Sequence, residues 1–293
     1  MSGRVRVRAH AKLTLSLRVL GVLPDGYHGL DALAVSVSPP LDTIEVVATH
    51  AGEIALGLSG VTGTVPATAD NLVVRAARAL LRRAGSDLGL AISLHKGIPA
   101  GGGLGGGSAD AAATLVAVSS LLSGAGRVDR AGLLAVAAEL GSDVPFCVEG
   151  GAAWMRGRGE QLAPVGPLDA VTVLIVVPDF RIATPDVYRA WDQLGGPSST
   201  RTIPAPPAVV HLLPELGNDL EPAAERVEPR LVGARAEVER VTGRPFLVAG
   251  SGSSLWTWFE DAGSAEAART RVEQDLGFVA HVGVTVPKGV EIA

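Results

Sequence analysis

The chain has 293 residues, enough for one large or two ordinary domains, with a formal net charge of −5, 47% hydrophobic residues and 4% aromatic ones. The charges are dispersed, so the electrostatic footprint of a nucleic-acid binder is missing, and the apolar runs are too short or too interrupted to span a membrane. One cysteine, Cys147, excludes an internal disulfide framework and, beside six scattered histidines, argues against structural zinc. The opening MSGRVRVRAH has no apolar signal core, so a cytoplasmic protein is expected.

Residues 4–19 alternate as a strand, and GVLPDGYHG (21–29) is a turn punctuated by Pro24, Asp25 and Gly26. Residues 30–38, 42–49 and 54–60 read as further strands, followed by a loop. Asp70 is placed to cap a helix from Asn71 that Gly85 ends. LAISLHK (90–96) is a strand, the glycine-rich run 97–107 a loop, and AAATLVAVSSLL (111–122) a helix; 129–141 is another helix. Residues 142–160 read as loop and strand segments. A domain boundary is expected within 157–168, giving units 1–157 and 158–293. Beyond it come a buried strand (171–178), a helix with Pro185 in its first turn (184–194) and a proline-rich loop (195–208). A proline-interrupted helical stretch (220–241), two strands around the small-residue turn 249–254, a helix (264–277) and a last strand (281–287) complete the chain. Strands and helices mix without strict βα alternation, which predicts a two-layer α+β fold.

The stretch from Gly97 to Asp110 holds seven glycines between a strand and a helix. Glycine lets backbone approach a ligand closely. The free amides and dipole of a helix start attract phosphate. The run therefore reads as a polyphosphate site. It is not a P-loop, since no lysine follows the glycines. It is not a dinucleotide fold either, because the region after its helix is helical rather than a strand ending in an acid.

Other groups are ambiguous by themselves. Lys12, in an apolar strand, is either a snorkelling edge residue or a cation facing a site. Asp143, between a helix and Pro145, is either a turn cap or a carboxylate able to take a hydroxyl proton. Ser108 is a simple cap or part of the loop's site. The turn Ala249–Ser254 is either close-packed or a second set of amides for phosphate. Of 25 basic residues only Lys12, Lys96 and Lys288 are lysines, which marks positions that need a compact ammonium.

Four blocks carry a resemblance. IPAGGGLGGGSADAA resembles the P-x-x-x-G-L-G-S-S/G-x-x-A-A motif of the GHMP kinases. AKLTLSLRVLGVLPDGYHGLDAL, LGSDVPFCVEGGAAWMRGRGE and AGSGSSLWTWFE are similar to an opening, a central and a closing block of that family, and NDLEPAA (218–224) to a further segment. DGYH together with GSDVPF narrows the likeness to one branch, acting on a cytidine diphosphate-linked methylerythritol in isoprenoid precursor synthesis. The resemblance implies a two-domain kinase with its active site in the cleft between domains, using ATP and Mg²⁺. The γ-phosphoryl would go to the 2-hydroxyl of the methylerythritol. Asp143 would be the general base and Lys12 the catalytic lysine beside it. Pro99, Gly101, Gly102, Gly103, Leu104, Gly105, Gly106, Gly107 and Ser108 would wrap the ATP phosphates, and Asn71 and Lys96 would line the base pocket. Tyr27 and His28 would grip the cytosine, Tyr188 would stack on it, and Thr14, Gly250 and Ser251 would complete the acceptor site. A small-molecule partner, no nucleic acid or membrane, and a monomer or weak homodimer are expected.

The chain departs from the pattern at Thr14, where the family has asparagine, and at Ala109 and Asp110, where many members read SSN rather than SAD. It departs again at Ser251 and Ser253, where threonine or alanine is common. These departures bear on affinity rather than reaction class.

Overall fold

The computed structural model describes residues 3–50, 52–61, 65, 68–122, 126–166, 170–196 and 216–293. Among these residues eleven strands form one mixed sheet. Its path runs β11 (Val290–Ile292), β1 (Arg4–Val22), β2 (His28–Thr49), β10 (Val279–Val286), β7 (Thr172–Val177), β9 (Leu255–Phe259), β8 (Leu247–Val248). The strands β4 (Gly89–Lys96) and β5 (Ala152–Gly157) also pair with β2, and carry β3 (Ile54–Gly60) and β6 (Gln161–Pro164) on their far sides. Pairing is antiparallel except β3 with β4. The α+β expectation holds.

Residues 30–38 and 42–49, expected as separate strands, are one long β2. Pro39 and Pro40 do not break it because the ladder skips them: His10 pairs with Leu41, and Ala11 with Val37. Prolines lack an N–H to donate and fit where such a bulge leaves residues unpaired.

Eight helices among the described residues cover the sheet: α1 (Leu72–Ala84), α2 (Gly106–Leu121), α3 (Arg130–Leu140), α4 (Val144–Glu149), α5 (Thr184–Gln193), α6 (Glu221–Val227), α7 (Arg230–Thr242) and α8 (Ala262–Leu276). α2 packs on β1 and β2 beneath α1, α3 and α4. Its sequence is apolar around most of its circumference, as a helix enclosed on most sides should be, and Ala109, Ala111, Ala112, Ala113, Leu115, Ala117 and Val118 are buried. α7 packs on α8, which lies against β7, β9 and β10.

Two local assignments are corrected. The cap of α1 is Asn71, not Asp70: the Asn71 side chain accepts the Val73 amide at 2.9 Å. Residues 144–149, expected as loop and strand, form α4, with Pro145 in its first turn, where a missing N–H costs nothing. The expected boundary after residue 157 falls in the β5–β6 turn. The loop expected over 195–208 lies, from residue 197 on, outside the described residues. No helix among the described residues is long and apolar enough to cross a membrane.

Candidate active site

A cleft of about 1000 Å³ opens where β1, the glycine-rich loop, α4, α5 and the 249–254 turn meet. Every residue expected to bind or react borders it: Lys12, Thr14, Tyr27, His28, Asn71, Lys96, Pro99, Gly101 to Ser108, Asp143, Tyr188, Gly250 and Ser251.

The glycine loop is shaped by backbone that other residues resist. Gly101, Gly103 and Gly105 have φ of +75°, +77° and +67°. At Gly103 an added Cβ would lie 2.0 Å from the Ala249 carbonyl oxygen. The loop thus interlocks with the second small-residue turn, where Ser254 N also donates to Gly102 O at 3.2 Å. Gly103→Ala should cost at least ~2 kcal/mol, from a left-handed L-residue plus the backbone clash. Thermal melting with nucleotide titration checks it, and the expected result is a lower Tm with weakened nucleotide binding.

The residues present fit a polyphosphate. α2 begins after Gly105, which has no side chain to cap its first amides, so these face the cleft mouth as anion donors. An added Cβ at Gly107 would meet nothing within 4 Å. Thr14 Oγ1 is buried without a hydrogen-bond partner among the described residues.

Lys12 sits on β1, whose backbone holds the loop: Lys12 N donates to Leu104 O at 3.0 Å. Its ammonium lies 2.9 Å from Asp143 Oδ2, with the lysine side chain 10% and the aspartate 34% exposed. Asp143 stands at the N-cap of α4 yet makes no capping bond. Its carboxylate makes no hydrogen bond to the helix amides and is turned to Lys12.

At the far end His28 Nε2 meets Asp192 Oδ1 at 2.8 Å. Its ring stacks on Tyr188 with centroids 4.7 Å apart and planes at 30°, while Trp191 presents an edge at 5.4 Å. Burial, then the nearby Asp143 charge, push the Tyr188 hydroxyl upward. Tyr27 is the most exposed of this group, its ring under the Arg158 guanidinium at 5.0 Å. Thr184 and Ser251 hydroxyls share a hydrogen bond of 2.7 Å across the cleft wall. Asn218 fixes the 249–254 turn through Nδ2, which donates to Val248 O at 3.0 Å and Gly250 O at 2.6 Å.

Lys96 borders the cleft, but its ammonium faces inward onto two buried aspartates, Asp42 and Asp110. Asp42, Arg158, Trp191 and Asp192 were not foreseen. Only Trp191 and Asp192 carried a signal, lying three and four residues beyond Tyr188 on one helix face. No cluster of three or more His, Cys, Asp or Glu is arranged to hold a metal among the described residues. Cys147 is buried and its thiol pushed upward, first by burial, so it behaves as a small apolar residue.

Comparison with known proteins adds four findings. Residues 71–151 match the model of the GHMP kinases N terminal domain. A 4-diphosphocytidyl-2-C-methyl-D-erythritol kinase from Pelotomaculum thermopropionicum is 36% identical over 268 residues, covering 90% of this chain and 92% of that protein. A crystal structure of 4-(cytidine 5'-diphospho)-2C-methyl-D-erythritol kinase superposes with a TM-score of 0.77 at 34% identity, covering 95% of this chain and 98% of that one. A homoserine kinase from Cytophaga hutchinsonii shares the fold at a TM-score of 0.68 and 18% identity.

Proposed function

Because the chain belongs to the GHMP kinases and, within them, to the 4-diphosphocytidyl-2-C-methyl-D-erythritol kinases, we propose that Lys12 and Asp143 carry phosphoryl transfer to the 2-hydroxyl of that substrate. The observation that carries the reading is the Lys12–Asp143 pair at 2.9 Å, in the same cleft as the uncapped start of α2.

ATP supplies the transferable γ-phosphoryl when bound. Amides from Gly101 to Ser108 hold its phosphates and Asn71 walls the base pocket. Mg²⁺ would enter with those phosphates, as an ion that keeps few protein ligands, and the Ser108 hydroxyl in the cleft lining would offer it an oxygen. It would neutralise charge on the transferring group. Asp143 takes the proton of the 2-hydroxyl as that oxygen attacks. The Lys12 ammonium, fixed beside it, steadies negative charge gathering between the acceptor oxygen and the phosphoryl group. His28 and Tyr27 hold the cytosine, Tyr188 stacks on it, and Thr14, Gly250 and Ser251 flank the acceptor.

The test is an ADP-release assay with Mg·ATP and the cytidyl substrate, run beside homoserine, mevalonate and galactose. Turnover of the cytidyl substrate alone is expected; turnover of another alcohol instead would overturn the assignment. Tyr188→Ala should raise KM for the cytidyl substrate roughly 5- to 150-fold, the worth of one base stack, with KM for ATP unchanged. Initial-rate kinetics varying each substrate separately check it.

A further inference from the structure

Beneath the glycine loop, Lys96 Nζ donates to Asp42 Oδ2 and, at 2.7 Å, to Asp110 Oδ2. The other Asp42 oxygen accepts the amides of Gly97 at 2.7 Å and Ile98 at 2.8 Å. The side chains of Lys96, Asp42 and Asp110 are 2%, 0% and 5% exposed. One buried cluster therefore joins β2, the end of β4, the first residues of the loop and the second turn of α2. The loop is gripped at its entrance through Asp42 and at its exit through Asp110. The start of α2 rests on the ammonium itself: a Cβ added to Gly106 would lie 3.3 Å from Lys96 Nζ.

The cluster is built for a lysine. A compact ammonium serves two carboxylates from one point, where a planar guanidinium needs a wider slot. Burial drives Lys96 downward, but Asp110 and Asp42 more than offset it. Burial and then Asp42 drive Asp110 well upward, and Asp110 Oδ1 has no hydrogen-bond partner among the described residues. Breaking one contact thus leaves a buried charge unpaired, so the arrangement is held tightly in one geometry.

We propose that Lys96 is a positioning residue for the phosphate loop, anchored by Asp42 and Asp110, and not a contact for the nucleotide base. It acts by holding the amides of the loop and of α2 in the arrangement that a polyphosphate needs. The inference rests on the phosphate-binding reading of the loop and is independent of which alcohol is phosphorylated.

Inorganic tripolyphosphate separates the two roles, since it has phosphates and no base. Calorimetric titrations of tripolyphosphate, ATP and GTP would be run on the wild type, on Lys96→Met combined with Asp110→Asn, and on Asp42→Asn. The double variant removes the ammonium together with the Asp110 carboxyl that it holds, so that carboxyl is not left facing a lost partner. Asp42→Asn keeps an acceptor for the loop amides but can place a donor against Lys96; Asp42 does not line the cleft. Circular dichroism verifies folding of each.

The expected result is about tenfold weaker binding of tripolyphosphate and of ATP by the same factor in both variants, with the ATP-to-GTP ratio unchanged. Unchanged tripolyphosphate affinity with a lost preference for ATP would make Lys96 a reader of the base. Unchanged affinity for all three ligands would leave the cluster with no role in positioning. Should the double variant not fold, Asp42→Asn alone decides, by the same criterion. These titrations need no acceptor, so failure of the cytidyl assay would leave them readable. Failure of tripolyphosphate to bind the wild type would instead remove the loop reading and this proposal together.

Discussion

Asp143→Asn is expected to lower kcat by about 10²–10⁴-fold, the range a positioned general base contributes, while ATP binds much as before. The geometry explains the split. Asp143 lies across from the glycine loop, beside Lys12 and clear of its own helix's amides, so the amide donors to the phosphates are untouched. An asparagine keeps the size and a hydrogen-bonding oxygen but cannot take the hydroxyl proton. Single-turnover kinetics with saturating substrates, compared with calorimetric ATP binding, check it. A rate within threefold of wild type would remove Asp143 from the role of base.

Lys12→Met is expected to lower kcat by about 10²–10³-fold, the scale of removing one charge-stabilising donor. Methionine fills the stem volume against Gly105, where an added Cβ would lie 3.1 Å from Lys12 Cβ, so the loop keeps its seat. Combined with Asp143→Asn, the loss should be close to that of the worse single variant rather than the product. Two residues serving one transfer act as a unit. A double-mutant cycle on kcat checks it; multiplicative losses would show independent roles.

The two ends of the reaction were unequally visible in the sequence. The loop announced itself through composition, since seven glycines between a strand and a helix have few other uses. The scarcity of lysine was informative as well. Lys12 and Lys96 are both buried against aspartates at the cleft, whereas Lys288 is a surface residue, 64% exposed. The pairing of Lys12 with Asp143, by contrast, rested on a resemblance. Nothing local links a residue of the first strand to the cap of a short helix far along the chain.

The same distance hid Asp42, 54 residues from Lys96, which read simply as the start of a strand. α4 escaped because six residues give too few positions for a 3.6-residue period to register. β11 escaped for a similar reason: it is three residues long and pairs with the edge of a strand at the far end of the chain, β1. The prolines of β2 misled in the other direction. They are strong breakers in isolation, and harmless where the partner strand asks nothing of their nitrogen.

The ladder between β1 and β2 slips between His10 and Ala11 and again between Thr14 and Ser16. Lys12 and Leu13 lie in the short regular stretch between the slips, one lining the cleft and the other fully buried in the core. Successive strand residues point to opposite faces, so this segment behaves like a reading frame. It can absorb a change of letter, but not a change of count. Losing or gaining one residue there would turn an ammonium into the aliphatic interior and a leucine toward the phosphates. The flanking bulges are where such a miscount can be absorbed, and the length of the four residues between them is the quantity that descent must preserve.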